Sequence, residues 1–150
     1  MVHMHQLRSR IRAVENEIRK IGLWVPEMDD TQVYLTPLHI WYGWSGFPSG
    51  DIFIPRITPT RWIDDKPWSL RDVLRHEYGH ILAWHRPQIM RKWPRCSDRV
   101  SDYAHTNRDE DFAETFKFFL KHKGKLPRVW RGHTGIRRRW LGLQEEARLE

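Results

Sequence analysis

Cysteine is almost missing from this chain. The single Cys96 has no intrachain partner, so no disulfide framework holds the fold together. Long apolar runs are missing as well: none approaches the roughly 18–20 residues of a membrane-spanning helix. The opening residues MVHMHQLRSR hold no apolar stretch of the kind a secretory signal needs. The cytoplasm is therefore the default expectation, with export by a non-classical route left open. No repeat, low-complexity tract or linker composition divides the sequence. Its 150 residues read as one domain, long enough to bury a core.

Aromatic residues and cations, by contrast, are abundant. Nine tryptophans supply large apolar area for packing a small domain. The net charge is +7, from 26 Lys and Arg against 19 Asp and Glu. That balance suits an anionic partner such as nucleic acid, an anionic membrane or an acidic protein. The densest run, KHKGKLPRVWRGHTGIRRRW at residues 121–140, sets tryptophans among its cations, as nucleic-acid surfaces do. It contains no recognised nucleic-acid-binding motif.

Apolar spacing organises the rest. In residues 6–21, Leu7, Ile11, Val14, Ile18 and Ile21 recur at helical intervals, and Gly22 is a natural stop, which predicts a scaffold helix. Residues 31–38 predict a short strand, 41–50 a turn-rich loop, and GDIFIPRI at 50–57 a second strand. Pro55 has no N–H to donate, which places that second strand at a sheet edge. Residues 58–68, with two prolines, predict a loop. Ser69 followed by Asp72 resembles a capping box and opens a helix over about 69–85, before Pro87. Residues 86–107 predict a polar connection. A second amphipathic helix is expected over about 108–123, ended by Gly124, and a short one near 136–149 within a basic C-terminal segment, 125–150. The expected class is α+β: a small mixed sheet with an edge strand beside the first long helix, and a second, glutamate-bearing helix.

On the 69–85 helix stands RHEYGH. His76 and His80 are four apart, so both imidazoles lie on one helix face and can donate to one divalent cation. Glu77, next to the first, is placed to act on a water at that cation. This is the HExxH pattern of zinc peptidases. With nine His and nine Glu in the chain, chance supplies the pattern only about 0.03 times. Gly79 is a poor helix former, and its small size would let another segment approach closely. Catalytic zinc usually takes three protein ligands. Glu110 and Glu114, four apart on the second helix, both qualify for the third position. The other would support a ligand histidine, and spacing alone does not decide between them.

Residues 103–116, YAHTNRDEDFAETF, resemble the segment that follows the HExxH helix in lethal-factor-like zinc peptidases. That group includes the anthrax lethal factor catalytic domain and the Pro-Pro endopeptidases. The resemblance rests on Tyr103, Thr106, Asn107, Glu110, Phe112, Ala113, Glu114 and Phe116, together with the HExxH motif. It covers about 30 residues in two segments, and the gap from His80 to Glu110 is shorter than in lethal factor. It implies a zincin core of gluzincin type and one Zn2+ held by His76, His80 and Glu110. It also implies that Glu114 supports a ligand histidine and that Tyr103 assists catalysis.

The implied activity is zinc-dependent endopeptidase chemistry on a peptide or protein substrate. Glu77 would act as general base on zinc-activated water, and Tyr103 as donor to the oxyanion. An extended peptide would pair with an edge strand. Ile52, Phe53 and Ile54 of GDIFIPRI are the candidates to receive it. Two other classes stand beside this one. A catalytically silent or latent zinc-binding regulatory module needs neither Glu77 nor Tyr103. A basic nucleic-acid-binding protein would bind DNA or RNA with or without metal.

Overall fold

A computed structural model describes residues 3–36, 44–46, 50–55, 61–63 and 66–148. Helix α1 (Met4–Ile21) forms as the apolar spacing predicts. It buries Leu7, Val14 and Ile18, with Ile11 and Ile21 partly covered. Gly22 ends it at φ 85°, a left-handed conformation natural to glycine.

Strands β1 (Val33–Thr36), β2 (Trp44–Gly46) and β3 (Asp51–Pro55) make a mixed sheet in the order β1-β3-β2. β3 runs parallel to β1, with Ile52 opposite Val33, and antiparallel to β2, with Phe53 opposite Trp44. This overturns the edge position expected for residues 50–57. Pro55 closes the strand opposite Thr36, so its missing N–H falls at the end of the ladder. The expected 41–50 loop contains β2, and Gly50 turns the chain into β3 at φ 71°. The expected 58–68 loop likewise contains an antiparallel hairpin, β4 (Arg61–Ile63) with β5 (Lys66–Trp68). The Arg61–Ile63 triplet is β-prone and Lys66–Trp68 is not, and Pro67 is tolerable because this ribbon has two strands among the described residues. Residues 37–38, 41–43, 47–49, 56–60 and 64–65 of these predicted segments lie outside the described residues.

The long helices are α2 (Leu70–His85), α4 (Arg108–Lys121) and α5 (Thr134–Arg148). Ser69 caps α2 through its hydroxyl, which accepts from the Asp72 N–H at 3.1 Å. The Asp72 carboxylate does not complete a capping box. It accepts from Arg75, whose guanidinium also donates twice to Glu17 of α1. Asn107 caps α4 by accepting from the Glu110 N–H at 2.8 Å. The expected polar connection holds a short helix, α3 (Pro87–Arg91), with proline in its first turn where no N–H is required. It also holds a 3₁₀ turn at Tyr103–His105.

The core lies between α1, the inner face of the sheet, α2 and α4. Ile52 and Ile54 face it with Leu74, Tyr78, Ile81, Phe112, Phe116 and Phe119. Burial of each such side chain contributes roughly 1.5–3 kcal/mol. The helix pair α2–α4 is the tightest part. A β-carbon at Gly79 would lie 3.0 Å from Ala113 Cα and 3.1 Å from Phe116 Cδ1. The two helices meet backbone to backbone because position 79 has no side chain.

Helix α5 is built into this core. Trp140 is buried against Phe119, and its indole N–H donates to Gly124 O. Arg139 is 1% exposed and pairs with the buried Asp111 at 3.1 Å. Its guanidinium also donates to the carbonyls of Pro94, Cys96 and Asp98. The C-terminal segment thereby fixes the 94–98 loop. The class is α+β, and no helix among the described residues is long and apolar enough to cross a membrane.

Candidate metal centre

The close approach of α2 and α4 brings His76, His80 and Glu110 together as a cluster able to hold a metal ion. His76 Nε2 lies 3.1 Å from His80 Nε2 and 2.8 Å from Glu110 Oε2. His80 Nε2 lies 3.2 Å from Glu110 Oε1. Side-chain exposure is 1% for His76, 11% for His80 and 17% for Glu110, so the cluster opens to solvent from the His80–Glu110 side.

His76 Nδ1 faces Glu114 Oε2 at 2.8 Å. A carboxylate only accepts, so Nδ1 carries the proton and donates. In the neutral ring this leaves the Nε2 lone pair directed at His80 and Glu110. Glu110 Oε2 is buried without a hydrogen bond of its own, although His76 Nε2 is so near. Three potential ligand atoms therefore converge on one point. For bonds of about 2.0–2.1 Å at tetrahedral angles, zinc ligands stand about 3.3 Å apart. The observed separations are close to that, and two nitrogens with a carboxylate are a zinc-type donor set. The residues fit the ion.

Electrostatics point the same way. Burial alone would lower the His76 pKa, but the facing Glu110 and Glu114 carboxylates push it up to about 9. Burial would raise that of Glu110. Its contacts with His76 and His80 instead hold it far below the usual carboxylate range. Without a metal, a proton occupies the place of the missing cation.

Glu114 is the most deeply buried carboxylate, at 0% exposure. Besides His76 it accepts from Ser101 Oγ at 2.8 Å and from Lys117 Nζ at 3.1 Å. These bonds and the Lys117 charge outweigh burial and keep its pKa low. Burial in turn lowers that of Lys117, against the pull of Glu114. Sequence reasoning missed both partners. Lys117 had a signal: it is the lone cation in the apolar run FAETFKFFL, one turn after Glu114. Ser101 had none, because it arrives from the connection by tertiary folding.

Tyr103 stands on the 3₁₀ turn with its ring 5.5 Å from that of His76. Glu77 is buried on α2, where its charge acts on His76. Trp84 stacks on His80 at 6.2 Å. Cys96 belongs elsewhere: its sulfur lies 3.6 Å from Arg138 of α5. The peptide-binding expectation for Ile52, Phe53 and Ile54 fails on topology. β3 is already bonded on both sides. Ile52 and Ile54 are core residues, and Phe53 stacks on Tyr34 at 5.5 Å. Among the described residues the sheet edges are β1 and β2, and β2 is the one that packs against α2. Comparison of the chain with protein-family models, curated proteins and solved structures gives no match.

Proposed function

We propose that the chain is a zinc-dependent endopeptidase with a zincin-like active site. The observation that carries this reading is the convergence of His76 Nε2, His80 Nε2 and the Glu110 carboxylate, with His76 locked by Glu114 into the tautomer that ligates. His76, His80 and Glu110 would hold one Zn2+ per chain. When bound, the ion supplies Lewis acidity and makes water acidic enough to attack near neutral pH.

The protein's own residues supply the rest. Glu77 takes one proton from the attacking water as its oxygen bonds to the peptide carbonyl carbon. It returns that proton to the nitrogen as the C–N bond breaks, leaving a carboxylic acid and an amine; the acid's proton then passes to the amine, giving carboxylate and ammonium. The Tyr103 hydroxyl donates to the carbonyl oxygen as charge gathers there. Glu114, held by Ser101 and Lys117, keeps the His76 ring from rotating. The edge of β2, unpaired among the described residues, replaces β3 as the place where an extended peptide would add a strand.

A silent zinc module is the second reading. It would need neither the buried Glu77 nor Tyr103 beside His76. The decisive test is incubation of zinc-loaded protein with a proteome-derived peptide library, reading new termini by mass spectrometry. The wild type should cleave. Glu77→Ala should bind zinc and not cleave, and chelation should abolish cleavage. Equal cleavage by Glu77→Ala would refute the mechanism.

A further inference from the structure

Charge is distributed unevenly along this chain. Residues 115–144 hold nine of the 26 cations and none of the 19 carboxylates. That fifth of the chain carries +9, while the remaining 17 cations against 19 carboxylates leave −2. The structure divides the nine. Lys117 and Arg139 are buried, each beside its own carboxylate, Glu114 and Asp111. The other seven are exposed. Lys121 pairs with Asp72 at 3.5 Å, and Arg138 reaches Cys96. Lys123, Lys125, Arg128, Arg131 and Arg137 have no ion-pair partner among the described residues.

Four of these stand on the strap between α4 and α5, and Arg137 on the first turn of α5, so the five belong to one corner of the fold. The strap between α4 and α5 is pinned by Trp130, whose ring lies 5.2 Å from Phe118, 6.2 Å from His122 and 5.9 Å from Trp140. Gly124 O, at the start of the strap, accepts from Trp140 and Gln144 of α5. The cations are thus held on packed backbone and need little ordering to bind. At 1.5 Å per residue, the C-terminal end of α4 lies roughly 16 Å along the helix from Glu110. The corner is separate from the metal centre.

We propose that this corner docks the phosphate backbone of nucleic acid. A strap with cations and no carboxylate of its own, its neighbour Asp98 already accepting from the Gly135 N–H, fits a partner with anions and no cations, whereas a folded acidic protein presents both signs. A bilayer fits less well. Of the exposed large apolar side chains among the described residues, only Val129 lies on the strap.

The test is fluorescence anisotropy with a labelled duplex of about 20 base pairs and its single strand, titrated with full-length protein across salt. Five phosphate contacts give a slope of log K on log salt near −4.5, or roughly 500-fold weaker binding from about 50 to about 200 mM. Changing Lys123, Lys125, Arg128 and Arg131 to Gln should reduce the slope to about −1 and weaken binding at low salt at least about tenfold. The same variant should keep wild-type zinc affinity. Changing Arg8, Arg10, Arg12 and Lys20 of α1 to Gln removes equal charge and should leave binding near wild type. The proposal is overturned if neither probe binds at about 50 mM salt, or if the two variants weaken equally. Displacement of the duplex by polyglutamate at matched charge would also overturn it, and would assign the corner to acidic proteins.

Discussion

A single methyl group at position 79 tests how closely α2 and α4 must meet. On an exposed helix, Gly→Ala stabilises by about 1 kcal/mol. Here the new β-carbon would sit 3.0 Å from Ala113 Cα, 3.1 Å from Phe116 Cδ1 and 3.3 Å from Phe116 Cβ. The first of these is backbone and cannot rotate away. Overpacking of this kind costs about 1–3 kcal/mol, so Gly79→Ala should be less stable by about 1 kcal/mol net. For a chain of this size that lowers Tm by about 3 °C. The strain should also reach the metal centre. His80 follows Gly79 directly, and Ala113 stands between Glu110 and Glu114. Parting the helices by a few tenths of an ångström therefore separates the histidines from both carboxylates. Zinc affinity, read by competition with a chromophoric chelator, should fall about tenfold. A variant that gained the full helix-propensity stabilisation and bound zinc as the wild type does would refute the backbone-to-backbone packing.

Glu114→Gln preserves shape but presents an amide to His76 Nδ1 and Lys117. Zinc affinity should fall about 10–100-fold, and unchanged affinity in the same competition assay would remove Glu114 from its orienting role. In metal-free protein the His76 pKa is raised from 6.5 to about 9 by Glu110 and Glu114 against the effect of burial, so folding takes up a proton. That stabilisation is complete below pH 6.5 and is lost as pH rises through about 9. The Tm with chelator should fall across this window, and zinc affinity should rise across it because the ion replaces the proton. A flat metal-free profile, or one unchanged in His76→Gln, would contradict the site's electrostatics. Arg139→Met leaves Asp111 buried without its close cation and should cost about 3–5 kcal/mol in urea unfolding. A loss below about 1 kcal/mol would show that the pair is not sealed from water.

The helices and their caps were legible because their signals are local. Leu7, Val14 and Ile18 repeat at helical spacing, and Ser69 sits one residue before the helix it caps, whereas the Asn107 cap of α4 was not read. The histidine half of the metal-capable cluster was legible for the same reason, since His76 and His80 share a helix face by spacing alone. Singling out Glu110 rather than Glu114 took the resemblance; in the structure Glu110 faces the Nε2 atoms of both histidines, and Glu114 faces Nδ1 of His76. Strand order was not legible. β3 is central because a distant β1 and a short β2 both pair with it, and Pro55 misled because its place at the strand end is a tertiary fact. Ser101 and Arg139 act on partners far along the chain, with no periodic trace of doing so.

Arg139 also sets an order of events. A ribosome makes every proposed zinc ligand, Glu77 and Tyr103 before it reaches the residue that ties down the 94–98 loop and neutralises Asp111 beside Glu110. A chain arrested short of residue 139 would carry the whole catalytic vocabulary without the clamp that arranges it. On the proposed function, competence to cut would wait for residue 139 as well as for the ligands.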